Sequence, residues 1–235
     1  MFCQWVCLVC GYNMIGEKPE KCPFCGAPSS KFIASEECTE RYEINPVQVH
    51  PKVQQLKSSP KLGMEHSAYA IKTDEATLWV DCPSSFQQLE VKPDAILFTH
   101  CDFMGACNQY QNDSDCRIFL NKADFKYGIT KQFQPYITDA TEGNFEYKGI
   151  EAVHINGHTP GFTAYYYEDI CCSCDLAILT EKEDSVNTFR GPYEAVVIAL
   201  EKLIKECEKR SSSIVCCWNQ AFPFDEFKER VEKII

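Results

Sequence analysis

The sequence predicts an α+β protein built in two parts, a small N-terminal module and a larger layered domain. Three observations carry this reading. Residues 1–37 are dense in cysteine, glycine and proline and too short for a hydrophobic core of their own, a size at which a bound metal usually takes the core's place. From residue 63 the pattern changes to short apolar runs of strand length. Strands come first and strands mixed with helices follow, the order of a layered domain.

Taken in order, residues 38–62 read as a linker running into a first strand, with a polar Ser-Ser-Pro at 58–60. HSAYAIK (66–72) and ATLWVDCP (76–83) read as a hairpin turning near Thr73, Asp74 and Glu75. ILFTH (96–100) is a short buried strand ending in a histidine. A helix near 103–111, a strand CRIFL (116–120) and a short helix near 122–126 follow. FEYKGIEAVHI (145–155), AYYYED (164–169) and CDLAIL (174–179) are strand-like. Residues 192–209 carry apolar positions at helical spacing and a basic end that suits the helix dipole. SIVCCW (213–218) is a strand, and FDEFKERVEKII is a last amphipathic helix.

A formal net charge of −11 over 235 residues argues against nucleic acid and against anionic membranes. No span approaches the roughly 20 apolar residues of a transmembrane helix, and MFCQWVCLVC lacks the layout of a signal peptide. The 16 cysteines, with adjacent pairs Cys171-Cys172 and Cys216-Cys217, suit free thiols better than disulfides. A soluble, cytoplasmic protein in a reducing setting is expected.

Cys7, Cys10, Cys22 and Cys25 form two C-x2-C knuckles separated by eleven residues. Each knuckle sets two thiolates on one side of a tight turn, so two make a tetrahedral cage for one metal. WVCLVCGY (5–12), Pro19, CPFCGAP (22–28) and Phe32 resemble rubredoxin, especially the short form joined to rubrerythrins. The resemblance implies an iron centre with four thiolate ligands that moves electrons, with Trp5, Tyr12, Phe24 and Phe32 as a small aromatic core. Zinc accepts the same four thiolates, and the loop between the knuckles is shorter than in free-standing rubredoxins.

DAILFTHCDFMGA (94–106), WVDCP (79–83), GHTPGFTAY (157–165) and CCSCDLAI (171–178) fall in the order of four landmarks of the metallo-β-lactamase superfamily, which they resemble. Its branches include glyoxalase II, persulfide dioxygenases and flavodiiron proteins. The resemblance spans roughly residues 63–220 and implies a four-layer αββα domain, here 63–235. It implies metal ligands at His100, His158 and Asp175. Asp102 is either a fourth ligand, as the flavodiiron side implies, or an acceptor for an imidazole N–H. Asp81 is expected to orient a ligand or its loop. Met104 and Gly105 replace the Asp-His pair of a second metal position. The last histidine is absent, its strand reading CCWNQAF (216–222). One metal is therefore expected here, and two imidazoles with one or two carboxylates suit mononuclear non-haem iron better than zinc. Cys101, Cys107, Cys172, Cys174, Cys216 and Cys217 lie near these loops, either as small buried hydrophobes or as replacement ligands for a cluster.

Two metals in one chain point first to an oxidoreductase, fed by an electron-donating reductase and reacting with O2, peroxide, NO or a sulfur species. A glyoxalase-type hydrolase and an oxygen- or iron-sensing binding protein are the alternatives. Any of the three could assemble as a homo-oligomer.

Overall fold

Two β-sheets stacked face to face form the body of the protein in a computed structural model that describes residues 3–235. The first two residues of the expected module 1–37 lie outside the described residues. The module itself is a three-stranded sheet of β1 (Gln4–Cys7), β2 (Asn13–Ile15) and β3 (Phe32–Ala34), with β1 central. Helix α1 (Ser35–Arg41) closes it.

Residues 38–62 are more than a linker. They hold β4 (Glu43–His50) and β5 (Val53–Ser59), a hairpin forming the edge of a seven-stranded sheet. Most of β4 is exposed, so an edge strand carries none of the apolar alternation that marks a half-buried one. The sheet continues through β6 (Ala68–Lys72), β7 (Thr77–Val80), β8 (Ala95–Leu97), β9 (Arg117–Asn121) and β10 (Asp139–Thr141). Strands β7, β8, β9 and β10 run parallel. Helix α2 (Cys107–Ser114) starts four residues later than the pattern suggests, because 101–106 form an irregular loop at the end of β8.

The stretch 145–155 is two strands, β11 (Phe145–Tyr147) and β12 (Ile150–His154), because Lys148 and Gly149 turn with positive φ. With β13 (Thr163–Tyr167), β14 (Ile170–Cys174), β17 (Ile214–Cys217) and β18 (Ala221–Pro223) they make the second sheet. Between β14 and β17 the chain forms the small hairpin β15 (Ala177–Leu179) and β16 (Asp184–Val186), then α3 (Tyr193–Lys209). Helix α4 (Phe224–Glu232) ends the chain.

Tyr69, Leu78, Leu97 and Phe119 of the first sheet meet Ile150, Tyr165, Ile170 and Cys172 of the second in one buried core. Outside the second sheet, Val196, Leu200 and Leu203 of α3 and Phe227 of α4 cover Val153, Ala164 and Val215. Outside the first sheet, Tyr110 of α2 and Phe133 cover Trp79, Ile96 and Ile118. Helix, sheet, sheet and helix thus form four layers, as expected. Among the described residues no helix is long and apolar enough to cross a membrane.

Candidate metal centres

The first site is made by the knuckles. Sγ of Cys7 lies 3.8 Å from that of Cys25, and Sγ of Cys10 lies 3.7 Å from that of Cys22. Metal–sulfur bonds of about 2.3 Å in a tetrahedron set the sulfurs about 3.8 Å apart, so the cage fits one ion. Hydrogen bonds from Cys10 and Cys22 push the Cys7 thiol far down, and backbone amides of Cys10 and Val9 add to this. Cys10 moves the other way, since it shares its proton with Cys22 and Cys7. Amides of Phe24 and Cys25 likewise reach Cys22. Such amide donors stabilise thiolates and tune a metal held there. Tyr12 and Phe32 are buried beside the sulfurs, as expected. Trp5 and Phe24 pack against the same cluster, and Phe24 also meets Phe103 of the large domain.

The second site lies at the C-terminal ends of parallel strands. His100 and Asp102 follow β8, Asp81 follows β7, and His158 sits in the loop from β12 to β13. Asp175 follows β14, where the ladder to β17 slips between Cys172 and Cys174 and Cys174 takes φ +45°. This bulge re-aims the chain and swings the Asp175 carboxylate to the site.

The structure brings His100, Asp102, His158 and Asp175 together, and all four are buried. The Nε2 atoms of His100 and His158 lie 3.8 and 3.6 Å from Asp102 Oδ2. They lie 3.5 and 3.8 Å from Asp175 Oδ1 and Oδ2, respectively. His100 Nε2, His158 Nε2 and Asp175 Oδ1 have no hydrogen-bond partner. Buried polar atoms are rarely left so. Three of them converging on one point, with two carboxylates, is a donor set that a cation satisfies. Ligands about 2.1 Å from one ion stand roughly 3.0–3.4 Å apart, slightly closer than these atoms are.

The outer nitrogens explain why the inner ones point inward. Thr99 donates its hydroxyl to Asp81 (2.9–3.0 Å), whose Oδ1 also accepts from the Thr99 amide at 2.9 Å. The Thr99 oxygen, 3.0 Å from His100 Nδ1, is then free only to accept. His100 therefore carries its proton on Nδ1, leaving the Nε2 lone pair facing the site. His158 Nδ1 donates to the carbonyl of Asn187 at 3.3 Å, with the same result. Asp81 thus acts through Thr99 rather than on the site directly.

Burial would raise both inner carboxyls. The contact with His158, the neighbouring His100 imidazole and the Arg190 guanidinium instead hold Asp102 well below its usual range. His100, His158 and His66 do the same for Asp175. Burial would lower His158, and Asp175 and Asp102 more than offset it.

Four residues near the site carry no motif. Arg190 donates from Nε to Asp102 Oδ1 (2.8 Å) and Oδ2 (3.1 Å), with Nη2 2.7 Å from Oδ1. Asn187 donates to Asp175 at 3.0 Å. Buried Asp124 accepts from Thr159 Oγ1 and the Gly161 amide, each at 2.8 Å, and so braces the loop carrying His158. His66 stands 3.6 Å from Asp175, and burial lowers its pKa to about 4. Only spatial proximity reveals these four.

Met104 is buried in the core behind the site. Gly105 has φ +52°, and a Cβ there would lie 2.3 Å from the carbonyl oxygen of Pro83, so neither faces the centre. Cys101, Cys107, Cys172, Cys174, Cys216 and Cys217 are buried, and among the described residues none joins a cluster with metal-ligand geometry. They behave as small hydrophobes.

A cavity of about 260 Å³ opens above Asp102 and Asp175, walled by Phe24, Phe103, Phe189, Ile178 and Trp218. Phe24, between Cys22 and Cys25 in sequence, meets Phe103 at 4.8 Å between centroids and Phe189 at 5.2 Å. The second knuckle therefore roofs the second site of its own chain.

Residues 5–33 match the family model described as "Rubrerythrin, rubredoxin-like domain". No curated protein matches this sequence. Among solved structures, the di-iron-bound form of TTHA1623 is similar at 19% identity and TM-score 0.56, over 79% of this chain and 98% of that one. VMB-1 is similar at 16% identity and TM-score 0.64, over 81% and 95%. The metallo-β-lactamase from Pontibacter korlensis is similar at 14% identity and TM-score 0.61, over 81% and 99%. The chain is a metal protein with a rubredoxin-like domain joined to a metallo-β-lactamase fold.

Proposed function

We propose that this protein is a two-centre iron oxidoreductase that reduces a small molecule at the second site with electrons received through the first. Cys7, Cys10, Cys22 and Cys25 hold one ion, and His100, Asp102, His158 and Asp175 hold the other. When bound, the first supplies one-electron transfer without an open position, and the second supplies a position where O2, peroxide, NO or a sulfur species reacts. The observation that carries this is the contact of Phe24 with Phe103, which joins the knuckle to the wall of the cavity. Iron at the second site is supported by the similarity to a di-iron-bound structure.

The chain's own groups prepare that site. Thr99 and Asn187 fix two imidazole tautomers, and Arg190 neutralises Asp102. Phe24, Phe103 and Phe189 give the cavity an apolar wall, and its volume of about 260 Å³ suits a small ligand. Turnover requires an external reductase, and sixteen cysteines with no disulfide among them support a reducing compartment such as the cytoplasm.

The test is anaerobic reduction followed by stopped-flow mixing with each oxidant, reading the visible absorption of the thiolate-bound iron in the knuckles. Rapid return of colour in the wild type and a slow return in His158→Ala are expected. Equal rates in both would sink the reading. Zinc in both sites with thioester turnover would replace it by hydrolysis.

A further inference from the structure

We infer that His66 is a ligand of the second metal centre, delivered by the loop that the first knuckle holds. This rests on the reading of His100, His158 and Asp175 as a metal site, and the experiment below separates the two. Nε2 of His66 is 3.6 Å from Asp175 Oδ2, the oxygen that also faces His158. The ligand atoms of His66, His100 and Asp175 lie within 4.8 Å of one another, as do those of His100, Asp102 and His158. These two triads share His100 Nε2. That atom has one lone pair, so two ions cannot both take it. His66 therefore joins the ion that takes His100 and Asp175, as the third member of that triad.

The ring is held as a ligand's ring is held. It is only 8% exposed. Its Nδ1 faces Cys174 Sγ at 3.4 Å, while among the described residues Nε2 makes no hydrogen bond. Phe103 packs against it at 3.7 Å between centroids, the two rings tilted by 40°. Outer-nitrogen contacts of this kind fix the orientation of metal-binding imidazoles.

The loop around His66 is tied at each end. The Ser67 amide donates to the Trp218 carbonyl at 2.7 Å. The buried Glu65 carboxylate accepts from the amides of Ser58 (3.0 Å) and Ser84 (2.6 Å). On the other side, the Met64 amide donates to the carbonyl of Val9 at 3.1 Å, inside the first knuckle. The imidazole is thus set in place by the main chain before any ion arrives. Ligation by His66, His100 and Asp175 leaves the side of the cavity, which His66 and Asp175 line, open to a small molecule.

The experiment loads full-length protein with Fe(II) anaerobically and measures second-site affinity by chelator competition. The visible absorption of the knuckle iron monitors folding. His66→Ala and His158→Ala should each keep the knuckle ion and lose at least about tenfold in second-site affinity. Free imidazole should restore binding to His66→Gly, because that ring borders the cavity. Wild-type affinity in His66→Ala with weak binding in His158→Ala would overturn the assignment of His66 alone. Wild-type affinity in both would overturn the site itself. Weak binding in His66→Gly that imidazole leaves unchanged would show that His66 only props the loop.

Discussion

The ring of Phe24, set between two cysteines of the knuckle, meets Phe103 in an edge-to-face contact, and Phe103 in turn packs at a tilt on His66 beside Asp175. Packed side chains thus connect the sulfur cage to the nitrogen-and-oxygen cage within one chain. Phe103→Leu keeps most of the apolar volume and should cost less than about 1.5 kcal/mol. It removes the aromatic ring between Phe24 and His66. Reoxidation of the knuckle iron should slow while both metal contents stay at wild-type levels. An unchanged stopped-flow rate would mean that this contact is packing only.

Asp81 predicts a pH dependence. Burial raises its carboxyl to about 6, against the ordinary 3.8. A carboxyl raised by folding contributes stability that is complete below the unfolded value and is lost as pH rises through the folded one. Asp81→Asn cannot ionise and loses nothing over that window. With the second site stripped by a chelator, the stability of Asp81→Asn relative to wild type should grow by roughly 2 kcal/mol between about pH 4 and pH 7. Denaturant unfolding at several pH values measures this. Parallel curves would refute it.

How much of this can be read from the chain depends on how local each feature is. The four sulfurs follow from spacing within nineteen residues, Cys7 to Cys25, because a knuckle folds on itself. His100, Asp102, His158 and Asp175 are legible because each follows a strand, within a segment of recognisable order. His66 and Arg190 are not, since their loops carry no pattern and meet the site only after the sheets stack. Asp124 is hidden for the same reason, its partners Thr159 and Gly161 lying in a different loop. The hairpin of β4 and β5 escapes the pattern because its outer strand is largely solvated. The shared rule is that chemistry brought by short-range geometry shows in sequence, and chemistry brought by tertiary closure does not.

Arg190, its side chain 20% exposed, forms a charge-assisted pair with buried Asp102. Arg190→Gln leaves a carboxylate in the interior without its cation, and breaking such a pair costs about 3 kcal/mol. A divalent ion binding at Asp102 supplies the missing positive charge. The loss should therefore be largest in chelator-stripped protein and smaller with metal present, so that metal raises the melting temperature more in the variant than in wild type. Equal shifts in differential scanning calorimetry would show that Asp102 does not face the ion.

Gly63 ties the knuckle to the loop of His66. Its φ of +55° lies in the left-handed region, and a Cβ there would stand 2.4 Å from the Val9 carbonyl oxygen. Both the conformation and the contact resist any side chain. Gly63→Ala must push the first knuckle away from the loop, losing the bond from the Met64 amide to Val9. The strain and the lost contact together should cost about 1–3 kcal/mol. Because Val9 lies between Cys7 and Cys10, the shift also reaches the sulfur cage. The variant should melt lower and release its knuckle iron faster to a chelator, and Gly128→Ala, where φ is not left-handed and a Cβ meets nothing within 4 Å, should leave that release rate near wild type. Equal release from Gly63→Ala and wild type would mean that the knuckle and the loop move independently, and that His66 does not depend on the first site for its position.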